Sequence, residues 1–241
     1  MKSSPVDSPS LLTIPNGRAR RDLLIPALLL VAALAALPLD FAIGHWAVNG
    51  GCPGFFRELL EAAEPFGNGN GVIYIVLAVL ALDWLRRRTT LRILTTALGA
   101  GLAANLGKMM VERTRPCVYG FEGTIGDSFA SFFPLASAGS GGQSFPSAHT
   151  ATAVGLAAAL AWRYPRARAF FFVMAALVAV QRITSGAHFI SDTFCGAAVG
   201  CVVASLTLRH GRLAAWFDRY EAPESTDADD SVQALSKKLV A

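Results

Sequence analysis

His188 and Asp192 stand four residues apart, a spacing that puts two side chains on one face of a helix. A carboxylate so placed accepts a hydrogen bond from one imidazole nitrogen, fixes the tautomer and leaves the other nitrogen unprotonated and nucleophilic. His149 has no carboxylate at comparable spacing, which suits it to the complementary task of protonating a departing alkoxide and later activating water. The pattern predicts His188 as nucleophile, Asp192 as its orienting partner and His149 as general acid. A metal site built from His149, His188 and Asp192 is the chemical alternative.

Three cations accompany them. Lys108 and Arg115 are seven residues apart, two turns along nearly the same helical face, and Pro116 biases Arg115 out of helical geometry. Taken alone the two would read equally well as side chains snorkelling to an interface. Lys108 is, however, the single lysine between Lys2 and Lys237, in a chain that otherwise uses arginine. Phe145-Pro146-Ser147-Ala148-His149 begins a helix after a loop carrying Gly139, Gly141 and Gly142. Ser147 suits an N-cap, and the unpaired N–H groups of the first turn, Ala148 included, form a seat for an anion. Arg182 closes the run that precedes His188, at the same predicted membrane depth.

The elements that must position these residues are apolar runs. Of the chain, 53% is hydrophobic and only 16% charged, with mean hydropathy +0.45, which favours a membrane protein over a soluble domain. Runs near residues 23–43, 71–85, 91–110, 148–162, 169–183 and 189–208 predict an all-α, polytopic bundle of six transmembrane helices, with a first helix that is retained rather than cleaved as a signal. Residues 52–66 set Phe55, Phe56, Leu59 and Leu60 beside Arg57, Glu58, Glu61 and Glu64, the composition of an interfacial amphipathic helix. Residues 1–22 read as a disordered cytoplasmic lead, 23–210 as the membrane domain, 211–241 as a polar cytoplasmic tail and 117–145 as a long outer loop of the kind that forms lids.

Orientation follows from where the basic residues fall. With both termini inside, Arg86, Arg87, Arg88, Arg92, Arg163, Arg166, Arg168, Arg209 and Arg212 lie on the cytoplasmic side. Arg57, Lys108, Arg113, Arg115 and Arg182 are left outside, and most of these are the residues already singled out for chemistry. The expected location is the cell (inner or plasma) membrane, multi-pass, with the site on the extracytoplasmic face. The basic residues form no basic helix face, which excludes a nucleic-acid partner. Four cysteines without a CxxC pair or zinc-like spacing argue against a structural metal. Cys52 and Cys117, both in outer loops, are candidates for a disulfide.

Lys108 with Arg115-Pro116, Pro146-Ser147-Ala148-His149, and Arg182 with His188 and Asp192 follow one another in an order and spacing that resembles the type 2 phosphatidic acid phosphatase family, the lipid phosphate phosphatases. The resemblance implies hydrolysis without metal or cofactor through a phosphohistidine on His188. Lys108, Arg115, Ser147, Ala148 and Arg182 would hold the phosphate. The implied substrate is a lipid phosphate or polyprenyl diphosphate among membrane lipids, with no obligate protein partner. Two positions depart from the family's usual pattern: Ala148 stands where glycine is common, and Gln181 where serine is. A phosphotransferase using the same intermediate is the alternative within enzymes. A transporter would string its polar residues through the membrane instead of clustering them at one end.

Overall fold

The computed structural model describes residues 17–133 and 139–222. Eight α-helices fill most of them: α1 (Gly17–Val48), α2 (Gly54–Ala63), α3 (Gly69–Leu82), α4 (Arg88–Lys108), α5 (Ala148–Arg163), α6 (Arg168–Thr184), α7 (Ile190–Leu208) and α8 (Gly211–Glu221). Each of the six apolar runs coincides with a helix. Residues 17–22 of the expected lead already belong to α1, and residues 1–16 lie outside the described residues.

Helix α5 is the axis of the bundle, packed by α4, α6 and α7, while α1 lies along α7. Its buried side chains are small, with Ala151, Ala153, Gly155, Ala157 and Ala159 beside Leu156 and Leu160. Large apolar side chains such as Leu28, Val31 and Leu34 of α1 and Phe170, Phe172 and Val173 of α6 face outward. Small residues between helices and large ones outside is the distribution expected of helices in lipid. At Gly196 of α7 any side chain would collide with the Ser147 carbonyl, so the missing Cβ lets α7 reach the start of α5.

By length and composition, three helical segments suffice to cross a membrane, Asp22–Val48, Pro165–Thr184 and Ile190–Leu208. A fourth results if Gly54–Phe66 and Gly69–Leu82, bent by 66°, act as one span. Helices α4 and α5 fall short of that measure because α5 is only 16 residues long and α4 carries threonine, glycine and arginine along its buried face. Such helices are tolerated in a membrane when they face protein.

Two features were not foreseen. Strands β1 (Val111–Arg113) and β2 (Phe129–Phe132) pair antiparallel after α4, with Val111 opposite Phe132 and an irregularity between Glu112 and Arg113. Helix α8 lies in the segment read as polar tail. It is held by Arg92, whose buried guanidinium bonds the Thr207 and Ala214 carbonyls, Asp218 and Glu221 and lies over the rings of Trp162 and Phe217. The Arg163 pair with Asp83 and the Arg209 and His210 pairs with Asp22 lie at the same end of the helices. The expected disulfide is not formed. Cys52 is buried with Sγ 3.8 Å from the Pro53 carbonyl oxygen, whereas Cys117 is an exposed thiol.

Candidate active site

At the opposite end of the bundle from the Arg92 clamp, α4 ends, α5 begins, α6 ends and α7 begins. Ser147 caps α5, accepting from the Thr150 hydroxyl at 3.0 Å and the Thr150 N–H at 3.4 Å, while its own N–H donates to the Asp192 carbonyl at 3.0 Å. Both contacts use its oxygen as acceptor and leave its own O–H proton unused, and beside it the cap presents the first-turn backbone, beginning at Ala148.

The turn from Arg182 to His188 has a plain local cause. Gly186 adopts φ +68°, the left-handed conformation that ends a helix and suits glycine. The Arg182 carbonyl then accepts from the N–H groups of Ala187 and His188 at 3.2 and 3.1 Å, and the Gly186 carbonyl accepts from Cys117. A buried His188 is thereby fixed immediately after the arginine and before α7.

His188 Nδ1 lies 2.6 Å from the Ser144 carbonyl oxygen. A carbonyl can only accept, so Nδ1 carries the proton and Nε2 keeps its lone pair. The direct hydrogen bond to Asp192 expected from the sequence is not made, since Asp192 Oδ2 is 3.9 Å from Nδ1. That oxygen instead accepts from the Ser144 hydroxyl at 2.6 Å and the Phe189 N–H at 2.9 Å. Asp192 thus acts on the imidazole through Ser144 and through its charge. Burial pulls the His188 imidazole below its ordinary value, and the neighbouring carboxylate opposes that shift.

Asp192 has a second partner that the sequence reading left among the outer charges. Arg113 is fully buried, with Nη1 2.5 Å from Asp192 Oδ1 and 2.7 Å from Ser191 Oγ, Nη2 2.8 Å from Asp40 Oδ2, and Nε 3.1 Å from Ser128 Oγ. Phe129 and Phe189 sandwich the guanidinium at 4.4 and 4.2 Å. Asp40 of α1 also accepts from the Ser191 N–H at 3.0 Å and from its hydroxyl. The Arg113 carbonyl accepts from the Ser144 N–H at 2.9 Å, so β1 fixes the residue whose carbonyl orients His188.

Lys108, Arg115, Arg182, His149 and His188 are near enough to act on one another's charge. Among the described residues Lys108 has no hydrogen-bond or ion-pair partner. The Nε groups of Arg115 and Arg182 are buried and unpaired. Unpaired buried donors are costly, and several around one nucleophile form a site for an anion's oxygens. The other partner not foreseen is Glu64, in the 3₁₀ turn Glu64–Phe66 after α2, whose Oε1 is 2.9 Å from Arg182 Nη1 and 3.8 Å from His149 Nε2. No three His, Cys, Asp or Glu side chains converge to hold a metal ion among the described residues. Beside this site an apolar cavity of about 360 Å³ is lined by Leu30, Met110, Phe133, Phe145, Pro146 and Val199, among others.

The sequence model of the PAP2 superfamily matches residues 89–214, more than half of the chain and the stretch that holds these groups except Glu64 and Asp40. The chain belongs to the PAP2 superfamily. Within it, the chain is similar to a lipid A 1-phosphatase of Rhizobium johnstonii, 38% identical over 112 residues that make up 46% of this chain and 43% of the relative. A lipid A 1-phosphatase of Rhizobium etli is 36% identical over 113 residues, 47% of this chain and 46% of that one. The matches span somewhat under half the length of these curated relatives. The fold of this PAP2 protein is similar to the crystal structure of a transmembrane PAP2-type phosphatidylglycerolphosphate phosphatase from Bacillus subtilis, with TM-score 0.54 and 18% identity, covering 86% of this chain and 98% of that one.

Proposed function

We propose that this protein hydrolyses a phosphate monoester or diphosphate on a membrane lipid, at the extracytoplasmic face, through a phosphohistidine on His188. The observation that carries the reading is the pairing of a histidine whose Nδ1 is committed to a carbonyl with buried guanidinium donors that lack partners. In the first step the Nε2 lone pair forms a bond to phosphorus as the bond to the lipid oxygen breaks. His149 gives its proton to that oxygen. In the second step water attacks phosphorus, the P–N bond breaks, His149 takes the water's proton and phosphate leaves. Lys108, Arg115, Arg182 and the first amides of α5 balance the charge spreading over the phosphoryl oxygens. The chain's own residues supply each of these roles without a metal ion.

A lipid substrate is supported by the apolar cavity against Phe145-Pro146, which would receive part of an acyl chain while the headgroup meets Ser147 and His149. The relatives' activity makes a lipid A type of glycolipid phosphate the first substrate to try. The reading also keeps six membrane spans, with α4 and α5 as protein-facing members, α2 in the interface and both termini inside. The clustering of arginines around α8 and the ends of α3, α5 and α7 supports that orientation.

The test is phosphate release by purified protein from lipid A, phosphatidylglycerol phosphate, phosphatidic acid and undecaprenyl diphosphate, with EDTA and with candidate alcohol acceptors. Release that survives EDTA, acid-labile labelling of the protein, and loss of both in His188→Ala by at least about a thousandfold are expected. Full turnover in folded His188→Ala removes the nucleophile assignment, and transfer to an acceptor in place of release converts the hydrolase to a transferase.

A further inference from the structure

Glu64 is a carboxylate standing where the proposed reaction needs a phosphate. Its Oε1 accepts from Arg182 Nη1 at 2.9 Å and faces His149 Nε2 at 3.8 Å, so a single oxygen pairs with the cation that would bind a phosphoryl oxygen and stands beside, without a hydrogen bond to, the histidine that would protonate the leaving group. The backbone that carries it is fixed. A Cβ on Gly67 would lie 2.6 Å from Val178 Cγ1 and 2.7 Å from the His149 carbonyl oxygen, so this turn is pressed on the first turn of α5 and on α6. The Glu64 side chain, by contrast, is 35% exposed and is free to swing outward by its own rotamers.

We propose that Glu64 is a resident counter-ion of the phosphate site: it occupies the anion position at Arg182 in the empty enzyme and competes with phosphate for it. This rests on the phosphatase reading above. An entering lipid phosphate offers apolar contacts as well as charge and displaces the carboxylate. Free phosphate, the product, has only its charge and is expelled as the carboxylate returns. Glu64 therefore keeps the cation cluster from being blocked by its own product. Two anions on one guanidinium edge repel one another, so phosphate and the carboxylate exclude each other at Arg182.

The experiment is titration calorimetry of orthophosphate into the detergent-solubilised full chain, as wild type, Glu64→Gln and Glu64→Ala, with thermal unfolding to verify the fold. The neutral isostere is expected to bind orthophosphate about five- to tenfold more tightly, a change of the size a partly exposed charge pair can support. Glu64→Ala should tighten binding likewise, and orthophosphate should become a correspondingly stronger competitive inhibitor in both variants. Wild type that binds orthophosphate while the folded variants bind it equally or more weakly overturns the counter-ion role and makes Glu64 a positioning residue for Arg182. Absence of orthophosphate binding in all three overturns the anion site itself, and the proposal with it.

Discussion

The Ser144 carbonyl lies 2.6 Å from His188 Nδ1, closer to the imidazole than the carboxylate of Asp192 at 3.9 Å. A backbone acceptor cannot take the proton away, so it fixes the tautomer, and by accepting from Nδ1–H it leaves Nε2 the electron-rich nitrogen. Asp192 keeps Ser144 in place through its hydroxyl and supplies a negative charge that favours an imidazole becoming positive.

This geometry predicts the titration of the nucleophile. Burial lowers the His188 pKa from its ordinary 6.5, so the unprotonated, attacking form persists as pH falls below that value and is lost only at a more acid midpoint. Nitrogen-15 spectra of histidine-labelled protein should show His188 protonated at Nδ1 and bare at Nε2 at neutral pH, with protonation of Nε2 below 6.5. Asp192→Asn removes a charge that stabilises the imidazolium and should move the midpoint lower still. A midpoint above 6.5 in wild type would mean that the carboxylate, not burial, governs this histidine.

Arg113 should be the least replaceable residue of the site that touches no substrate. Its guanidinium separates two fully buried carboxylates, Asp40 and Asp192, and removing it leaves both charges buried with hydrogen bonds but no countercharge in contact. Arg113→Met is expected to cost about 3–5 kcal/mol in mixed-micelle unfolding. Arg113→Met combined with Asp40→Asn should recover part of the loss, because one of the stranded charges is then gone. A loss below about 1 kcal/mol for Arg113→Met, in the range of an exposed pair, would show that the network contributes little.

What the sequence made legible were the features set by short range. Apolar runs fixed the helices, and the spacing of Arg182, His188 and Asp192 fixed one wall of the site because a helix end, a left-handed Gly186 and a helix start follow in a single turn of chain. Arg113 and Asp40 were missed because their partner residues lie 73 positions apart. A signal was nevertheless present, since Asp40 is a lone acid inside an apolar run and Arg113 a cation at an end of the helices where the expected topology disfavours one. Glu64 was hidden among the acids of an amphipathic helix. Helix α8 falls in the stretch that reads as tail because Asp227, Asp229 and Asp230 make that stretch polar, which hides the spacing of Ala214 and Phe217, the two side chains it buries.

The apolar cavity beside Pro146 gives a test of how the lipid is held. Leu30 projects from α1 onto its rim and is half exposed, so Leu30→Trp fills space without disturbing the helix core. The KM for a long-chain lipid phosphate should rise about tenfold, while a water-soluble short-chain phosphate is turned over as in wild type, the pattern of lost ground-state binding. Equal effects on both substrates would assign the change to the site rather than to the chain-binding groove.

Orientation is open to a chemical readout because Cys117 is exposed next to the site while Cys52 is buried. An impermeant maleimide added to intact spheroplasts should label Cys117, a signal lost in Cys117→Ser, whereas a cysteine introduced by Arg212→Cys in α8 should react only after lysis. Cys52 should stay unlabelled until the protein is denatured, and denatured, unreduced protein should then reveal four thiols, Cys52 and Cys117 together with Cys195 and Cys201, since no disulfide joins them. Protection of Cys117 together with labelling at position 212 would place the catalytic end of the bundle inside the cell. The substrate would then have to be a lipid of the inner leaflet, and the basic residues around Arg92 would face the side that the positive-inside bias disfavours.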